Sequence, residues 1–263
     1  MEKDRRDFLK IGGISVLGLS ALPVFEALAQ GKDPKAMPDP RALQATQWAI
    51  VVDMKKCWEE QEKRQCKDCI LACHKVHNVP SIPDAKREIK WIWQEEYKHA
   101  FPDQANEYAP EQVKDHPFIL LCNHCSNPPC VRVCPTKATW KRAEDGVVMM
   151  DFHRCIGCRY CMAGCPFGAR SFNWGDPREY LDPQQENPEF PTRRKGVVEK
   201  CQFCAERLAV GLQPACVEAC KAKALVFGDI NDPESEVRKI LAENYSLRRK
   251  IELGTGPNVY YII

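Results

Sequence analysis

The residues of this chain that can do chemistry are its cysteines. All sixteen fall into four groups of four within 263 residues. In chain order the groups are Cys57, Cys66, Cys69 and Cys73; Cys122, Cys125, Cys130 and Cys134; Cys155, Cys158, Cys161 and Cys165; and Cys201, Cys204, Cys216 and Cys220. Thiolates are soft ligands, and four of them brought to one point are what a [4Fe–4S] cluster needs. The sequence therefore predicts four [4Fe–4S] clusters and a path for electrons.

The third group carries the strongest signal. Its pattern, Cys-x2-Cys-x2-Cys-x3-Cys-Pro, is typical of bacterial two-cluster ferredoxins, in which the fourth cysteine ligates the neighbouring cluster. The second group repeats this pattern with a wider middle gap. The exchange predicts two ligand sets: Cys122, Cys125, Cys130 and Cys165 for one cluster, and Cys134, Cys155, Cys158 and Cys161 for the other.

The two outer groups are predicted to exchange their fourth cysteines in the same way. The resulting ligand sets are Cys57, Cys66, Cys69 and Cys220 for one cluster, and Cys73, Cys201, Cys204 and Cys216 for the other. Their signal is weaker because the spacing is less typical. Eight residues separate Cys57 from Cys66, and eleven separate Cys204 from Cys216.

Zinc sites and disulfides are the competing explanations of so many cysteines. Cys-x2-Cys pairs also bind zinc, but a zinc site does not need a fourth cysteine three residues further on and followed by proline. Neither a Cys-x-x-Cys-His haem motif nor a Gly-x-Gly-x-x-Gly nucleotide motif is present. The sequence favours iron over these alternatives.

The N-terminal residues resemble an export signal of the twin-arginine type. Arg5 and Arg6 precede a short apolar run at 11–22, and a small-x-small site at 27–29 predicts cleavage before Gln30. The alternative is an uncleaved membrane anchor. This route exports folded proteins with their cofactors in place, so we expect a periplasmic or extracytoplasmic protein whose thiols already hold iron and do not form disulfides.

The charged residues favour a cofactor over a nucleic acid as the partner of this chain. The net charge is only +2, which gives no reason to expect nucleic acid. An oxidised cluster with four thiolates carries roughly two negative charges. Basic residues beside the cysteines are predicted to offset this charge, and a solvated basic face is the alternative. They are Lys67, Lys75, Arg132, Lys137, Arg154, Arg159, Arg170, Lys200 and Arg207.

Other side chains inside the motifs have two interpretations each. His124 either donates a hydrogen bond to a cluster sulfur or has a surface or packing role. Ile156, Met162, Phe167 and Phe203 are predicted to shield the clusters from water.

The elements that must position the cysteines follow from hydrophobic patterning. The predicted strands are 48–53, 88–93, 147–151, 225–227 and 259–263, and the predicted helices are 70–77, 128–138, 205–210, 214–222 and 233–244. The strand, cysteine run and helix at 48–77 recur at 147–170, which indicates duplicated ferredoxin-like units and an α+β fold. We expect a signal at 1–29, a linker at 30–45 and one domain at 46–263 with an insertion at 86–118 and a surface loop at 173–198.

Three motifs make the chain recognisable: CNHCSNPPCVRVCPTKAT at 122–139, DGVVMMD at 145–151 and CIGCRYCMAGCPFGAR at 155–170. They resemble the four-cluster iron–sulfur electron-transfer subunits of the dimethyl-sulfoxide reductase, polysulfide reductase and formate dehydrogenase type. The resemblance covers roughly 46–263 and implies the same ligand exchange at all sixteen cysteines. The chain departs from the family in the eight residues after Cys57, where most relatives have two, so a [3Fe–4S] cluster is the alternative at the first group.

The resemblance also implies partners. They are a multispanning quinone-interacting membrane subunit and an exported multihaem cytochrome c, with membrane contact only through partners and no small-molecule substrate bound by this chain. The export signal, the long first gap and the insertion at 86–118 favour a respiratory complex linked to dissimilatory sulfite reduction. The alternatives are the iron–sulfur subunit of a periplasmic molybdopterin oxidoreductase or hydrogenase, and a secreted structural protein held by disulfides or zinc.

Overall fold

The computed structural model of the protein describes residues 39–263. The predicted signal at 1–29 and most of the predicted linker lie outside these residues. From Pro40 to Ile263 the chain forms one compact unit. It combines small sheets with short helices, so the predicted α+β, ferredoxin-like fold class is confirmed.

The strands and helices follow one another in short segments. The strands are β1 Trp48–Asp53, β2 Ile92–Glu95, β3 Phe118–Leu121, β4 Thr139–Lys141, β5 Val148–Met150, β6 Ser171–Phe172, β7 Val198–Glu199, β8 Leu225–Asp229 and β9 Val259–Ile262. The α-helices are α1 Met54–Arg64, α2 Asp68–Val76, α3 Tyr97–Ala100, α4 Glu111–Asp115, α5 Pro129–Arg132, α6 Tyr160–Ala163, α7 Ala205–Leu208, α8 Ala215–Glu218 and α9 Glu236–Glu243. Single 3₁₀ turns lie at Ala85–Arg87, Pro102–Gln104, Pro177–Tyr180 and Ile251–Leu253.

The largest sheet has the strand order β8-β1-β9, with β1 antiparallel to β8 and parallel to β9. Strand β1 is a continuous apolar run, as expected of a strand that is covered on both faces. Ile50 and Val52 point into the main core, whereas Ala49 and Val51 pack with Val237 of α9. The remaining strands form the antiparallel pairs β2–β3, β4–β5 and β6–β7.

One expectation about the insertion at 86–118 needs correction. The strand predicted at 88–93 lies at Ile92–Glu95, where it pairs with β3. The rest of the insertion includes the short helices α3 and α4. Phe101 at the end of α3 is fully buried, with its ring edge-on to Phe118 at 5.2 Å between centroids. Burial of this aromatic ring fixes a segment whose composition is mostly polar.

The unusual gap in the first cysteine group is helix α1. Asp53 caps this helix, since its carboxylate accepts a hydrogen bond from the backbone N–H of Lys56 at 3.2 Å. Trp58 lies one turn further on, is 1% exposed and packs edge-on against Phe118. Glu60 and Arg64 pair at 2.8 Å on the outer face. The eight residues therefore form an anchored helix that carries Cys57 at a fixed place.

The segment at 173–198 is mostly loop, and two buried side chains attach it to the rest of the protein. Phe190 and Arg193 are buried, and Arg193 Nε donates to Glu199 of β7 at 2.6 Å. Arg193 also donates to the backbone carbonyls of His77 and Asn78, which follow α2. These contacts attach the segment to the helix that carries Cys69 and Cys73.

Candidate metal centres

The first set of cysteines, here called the Cys57 site, consists of Cys57, Cys66, Cys69 and Cys220. All four line one cavity, together with Ile119 and Leu225. Helix α1 supplies Cys57, and Gln61 one turn later donates a hydrogen bond from Nε2 to its Sγ at 3.2 Å. Burial and the neighbouring thiols raise the pKa of Cys57 to about 11 and that of Cys69 to about 12.

The second set, the Cys73 site, consists of Cys73, Cys201, Cys204 and Cys216. Burial raises the pKa of Cys73 well above its usual value, and the nearby thiolates of the other three cysteines raise it further. Cys69 and Cys73 lie one turn apart on α2, and Cys216 and Cys220 lie one turn apart at α8. Helices α2 and α8 pack together, which makes the Cys57 and Cys73 sites neighbours.

The third set, the Cys122 site, consists of Cys122, Cys125, Cys130 and Cys165. These residues line one cavity whose wall includes Val148 and Phe167. Burial, followed by the charge of Cys122, raises the pKa of Cys125 to about 12. The thiolate of Cys122 also raises the pKa of Cys201, after burial, so this site is the neighbour of the Cys73 site.

The fourth set, the Cys134 site, consists of Cys134, Cys155, Cys158 and Cys161. They line one cavity, together with Thr139 and Met150. Gly157 adopts φ +70°, and a Cβ there would lie 2.3 Å from the carbonyl oxygen of Gly196. Only glycine fits this turn, which curls the three cysteines of the third group around one point. Cys161 in α6 and Cys165 just after it line different cavities and connect this site to the Cys122 site.

An iron–sulfur cluster fits each of these sets. Every set presents four sulfur donors; eight of the sixteen thiols are buried and the other eight are partly buried. Burial, followed by the charge of neighbouring thiolates, raises the pKa of Cys69, Cys125 and Cys201, so these thiolates are costly to form without a cation in their midst. Iron supplies that positive charge, and soft thiolates are the ligands that iron–sulfur clusters take.

The basic residues beside the motifs fall into two classes. Seven are exposed or half-buried: Lys67, Lys75, Arg132, Lys137, Arg154, Arg159 and Arg207. Only Arg170 and Lys200 are buried, at 5% and 0% exposure. For the seven the structure agrees with a solvated basic face, whereas the other two lie among the cysteine sites.

The structure bears on the other motif residues. His124 is buried and stacks on Phe203 at 3.6 Å between ring centroids, while its Nδ1 accepts a hydrogen bond from the backbone N–H of Val148. This agrees with a packing role, and a hydrogen bond from His124 to a cluster sulfur stays a prediction. Phe167 and Phe203 are buried, and Met162 is half-buried. Ile156 lines the cavity of the Cys134 site although its side chain is 67% exposed, so its shielding role stays a prediction.

Sequence reasoning missed several polar neighbours of the cysteines. His77 is buried, and its ring contacts the carbonyl oxygen and, at 3.6 Å, the Sγ of Cys73. Its Nε2 lies 2.8 Å from Glu206 Oε1. Gln61 contacts Cys57 in the same way, because each of these polar residues lies four residues after its cysteine along a helix. A search for polar residues one helical turn after each cysteine would have found both.

Comparison with known proteins agrees with this geometry. Residues 116–178 and 187–230 match the family model of the 4Fe–4S dicluster domain. The chain is 42% identical to the "Hdr-like menaquinol oxidoreductase iron-sulfur subunit 1" of Archaeoglobus fulgidus, over 98% of this chain and 97% of the relative. The chain belongs to the family of dicluster iron–sulfur subunits of respiratory oxidoreductases.

Two further members of the family are similar over most of their length. The chain is 37% identical to the iron–sulfur cluster-binding subunit of menaquinone reductase from Nitratidesulfovibrio vulgaris, over 82% of this chain and 88% of the relative. It is 32% identical to a tetrathionate reductase subunit of Salmonella typhimurium, over 100% of this chain and 89% of the relative.

The family and the four groups of cysteines together support four iron–sulfur clusters, as predicted. The protein is thus an electron-transfer subunit of the menaquinol oxidoreductase and dimethyl-sulfoxide reductase type. Within residues 39–263, none of the helices has the length and apolar character that a bilayer crossing requires.

Proposed function

We propose that the protein relays electrons through four [4Fe–4S] clusters held by the Cys57, Cys73, Cys122 and Cys134 sites, in that spatial order. The observation that carries this proposal is the continuity of the series. Helix α2 carries a cysteine of the Cys57 site and one of the Cys73 site, and Cys161 in α6 and Cys165 just after it connect the Cys134 and Cys122 sites. The charge of Cys122 acts on Cys201, which joins the two inner sites. We assign every cysteine of each set as a ligand, including Cys57, which argues for four irons at that site.

The clusters supply one-electron redox chemistry, and the chain sets where the electron goes. Phe167 and Phe203 are almost completely buried and exclude water between sites. Gly157 and the left-handed Arg159 shape the turn that gathers the third cysteine group. The chain thus sets the distances between the clusters and the dielectric around them, and it has no catalytic site of its own.

The two ends of the series are the natural places for electrons to enter and leave. Several cysteines of the Cys57 and Cys134 sites are only partly buried. Beside the Cys134 site, Ile156 and Tyr160 are 67% and 62% exposed, which is unusual for large apolar side chains and typical of partner contacts. We propose that this end faces a redox partner.

We further propose that the complex is membrane-bound and joins a multispanning quinone-interacting subunit to a periplasmic multihaem cytochrome c, linked to dissimilatory sulfite reduction. In this role the chain resembles DsrO, the exported iron–sulfur subunit of the DsrMKJOP complex. The name of the Archaeoglobus fulgidus relative, a menaquinol oxidoreductase subunit, supports the quinone side of this proposal.

The second candidate is the iron–sulfur subunit of a periplasmic molybdopterin oxidoreductase. Similarity to the tetrathionate reductase of Salmonella typhimurium favours it. Affinity purification of the tagged chain from native membranes separates the two candidates. Co-elution of a multihaem cytochrome and a quinone-reactive membrane subunit is the expected result. Recovery of a large molybdopterin subunit instead would contradict the first candidate and support the second.

The proposed chain organisation is a twin-arginine signal at 1–29, a linker at 30–45 and the relay domain at 46–263. The test replaces Arg5 and Arg6 with lysine in the native host. We expect the variant to stay in the cytoplasm with the signal attached, while the unaltered protein is recovered outside the membrane with Gln30 as its first residue. Export of the variant at the normal level would overturn the assignment.

A further inference from the structure

Among the buried cations near the Cys122 site, two lie where it meets the neighbouring sites, and the first is Lys200. Its side chain is fully buried. The Nζ donates hydrogen bonds to the backbone carbonyls of Val148 and, at 2.7 Å, of Cys201. Val148 belongs to the wall of the Cys122 site, whereas Cys201 belongs to the Cys73 site. The ammonium group therefore lies at the junction of the two inner sites.

The second cation, Arg170, occupies the junction on the other side. Its Nη2 donates to Cys130 Sγ at 3.1 Å and to Thr139 Oγ1 at 2.9 Å. Cys130 belongs to the Cys122 site, and Thr139 lines the Cys134 site. The guanidinium group thus separates these two sites, and it touches a predicted ligand sulfur directly.

Neither cation has a carboxylate partner among residues 39–263. A buried charge is strongly unfavourable unless an opposite charge lies close to it. The nearest acidic side chain in sequence, Glu199, is engaged by Arg193 at 2.6 Å and by Trp91 and Asn173. The anions within reach of Lys200 and Arg170 are the cysteine thiolates with the clusters that they hold.

The Cys57 site at the end of the series has different surroundings. The charged side chains in its wall are Glu60, Asp68 and Lys221, and none of these is buried. Two of the three are acidic, and water screens all of them. A cluster there would experience a weaker positive field than one at the Cys122 site.

We infer that Lys200 and Arg170 act as positioning residues through their charge. They raise the reduction potential of the cluster at the Cys122 site above that of the cluster at the Cys57 site. Reduction adds one negative charge to a cluster, and a nearby buried cation stabilises that charge through a low dielectric. The electron would then reside preferentially in the interior of the series. This inference rests on the proposed relay function and adds no chemical step, since one electron enters and the same electron leaves without a bond being formed or broken.

The test is a redox titration of the anaerobically purified full-length protein, followed by EPR. Cys57→Ser and Cys125→Ser identify the signals of the Cys57 and Cys122 sites. In the unaltered protein we expect the Cys122-site cluster to be reduced first. Lys200→Met should lower its reduced-to-oxidised ratio at a fixed potential by about tenfold, which is about 59 mV for one electron. Arg170→Met should act in the same direction.

Conservative and remote variants separate charge from packing. Lys200→Arg and Arg170→Lys keep the charge, so we expect potentials close to those of the unaltered protein. Lys239→Met removes the same charge from the exposed face of α9, where it pairs with Glu234, and should leave the potentials unchanged. Full cluster content in Lys200→Met with an unchanged potential would overturn the inference, as would an equal shift in Lys239→Met.

A measurement on the unaltered sequence decides the matter if the methionine variants lose clusters. With arginine labelled by ¹⁵N, pulsed EPR of the reduced Cys122-site cluster should show nitrogen coupling from Arg170, because Nη2 lies 3.1 Å from Cys130 Sγ. Absence of this coupling, or reduction of the Cys57-site cluster first, contradicts the inference. A preparation without iron contradicts the relay function instead, so the two failures are distinguishable.

Discussion

Within residues 39–263, Arg193 in one region and Lys200 and Arg170 in another carry buried positive charge, and each region neutralises it differently. At the base of the 173–198 segment, Arg193 meets Glu199 in an ion pair whose side chains are both fully buried. Among the cysteine sites, Lys200 and Arg170 are buried with hydrogen bonds to carbonyl, hydroxyl and sulfur atoms and, within residues 39–263, no carboxylate. In the first region the polypeptide itself supplies the negative charge that neutralises the cation. In the second region that negative charge is complete only when the clusters are bound.

This difference indicates which part of the fold depends on iron. The Arg193–Glu199 region is also enclosed by aromatic rings, with Arg193 over Trp91 and Phe190. It needs no cofactor to balance its charges. The cysteine sites instead combine buried cations with thiols that resist ionisation, so metal binding and folding are coupled there.

Of the changes that test this difference, removal of iron should have the largest effect on stability. Oxidation of the clusters in the presence of a chelator, followed by a thiol reductant, leaves sixteen free thiols and the unneutralised buried cations Lys200 and Arg170. We expect the loss of cooperative unfolding, because the destabilisation approaches the roughly 5–15 kcal/mol available to a domain. Circular dichroism during heating measures it. An iron-free protein that still unfolds cooperatively near the midpoint temperature of the holoprotein would show that the cysteine region folds without iron.

Arg193→Met should have the next largest effect on stability. Removing one partner leaves Glu199 buried and unpaired, which costs about 3–5 kcal/mol. Denaturant unfolding of the holoprotein measures this loss.

The double variant Arg193→Met with Glu199→Met should recover much of that loss, because no isolated charge remains. Arg178→Met removes a cation from the exposed pair with Asp176 and is the matched control, with an expected midpoint equal to that of the unaltered protein. A larger loss in the control than in Arg193→Met would reverse the ranking of the two pairs.

Thr139→Val tests the support of Arg170. The Thr139 hydroxyl accepts from Arg170 and donates to the carbonyl of Met149 at 2.7 Å. Valine keeps the shape but loses both hydrogen bonds, so we expect a loss of about 1–3 kcal/mol in the free energy of unfolding. Thr139→Ser retains the hydroxyl and should remain near the unaltered value. Equal stability of the valine and serine variants would rule out this support.

Asp229 is an anion that the chain stabilises through hydrogen bonds, in contrast to the buried cations. Its substitution should change the free energy of unfolding least. Burial raises the pKa of its carboxyl, but hydrogen bonds from Thr46, Asn231 and Gln47 outweigh this and lower the pKa below its usual value. A lowered pKa contributes stability that is present above the unfolded value of about 3.9 and is lost as pH falls further.

Asp229→Asn should therefore lower the free energy of unfolding by about 1 kcal/mol, equally at pH 8, 6.5 and 5. Thermal unfolding at these three pH values is the measurement. A difference that shrinks markedly between pH 8 and pH 5 would mean that the carboxyl titrates in this range, contrary to its hydrogen bonding.

Local signals in the sequence predict the elements with the strongest hydrophobic pattern, whereas the short strands of the hairpins and several short helices were not predicted, and the helix predicted at 128–138 is limited to Pro129–Arg132. The continuous apolar run of β1 and the amphipathic pattern of α9 are recognisable because periodicity reports burial directly. Helix α1 is not among the predicted helices, although Asp53 provides a cap and Glu60 and Arg64 have helical spacing, because its residues interrupt a cysteine pattern. The predicted position of β2 is wrong by several residues because its partner β3 lies about 25 residues away, and pairing decides where the strand begins.

The sequence by itself determined that sixteen thiols form four groups suited to iron, and it predicted an exchange of the fourth cysteines. Three cavities have the grouping that this exchange predicts, at the Cys57, Cys122 and Cys134 sites. Local spacing carried this prediction because a tight turn directs closely spaced cysteines to one point, whereas a cysteine one helical turn further on is directed to the neighbouring point. Only the tertiary structure decided which of nine nearby basic residues are buried between the sites. Burial depends on contacts between distant segments, such as Lys200 with Val148, and no local pattern encodes them.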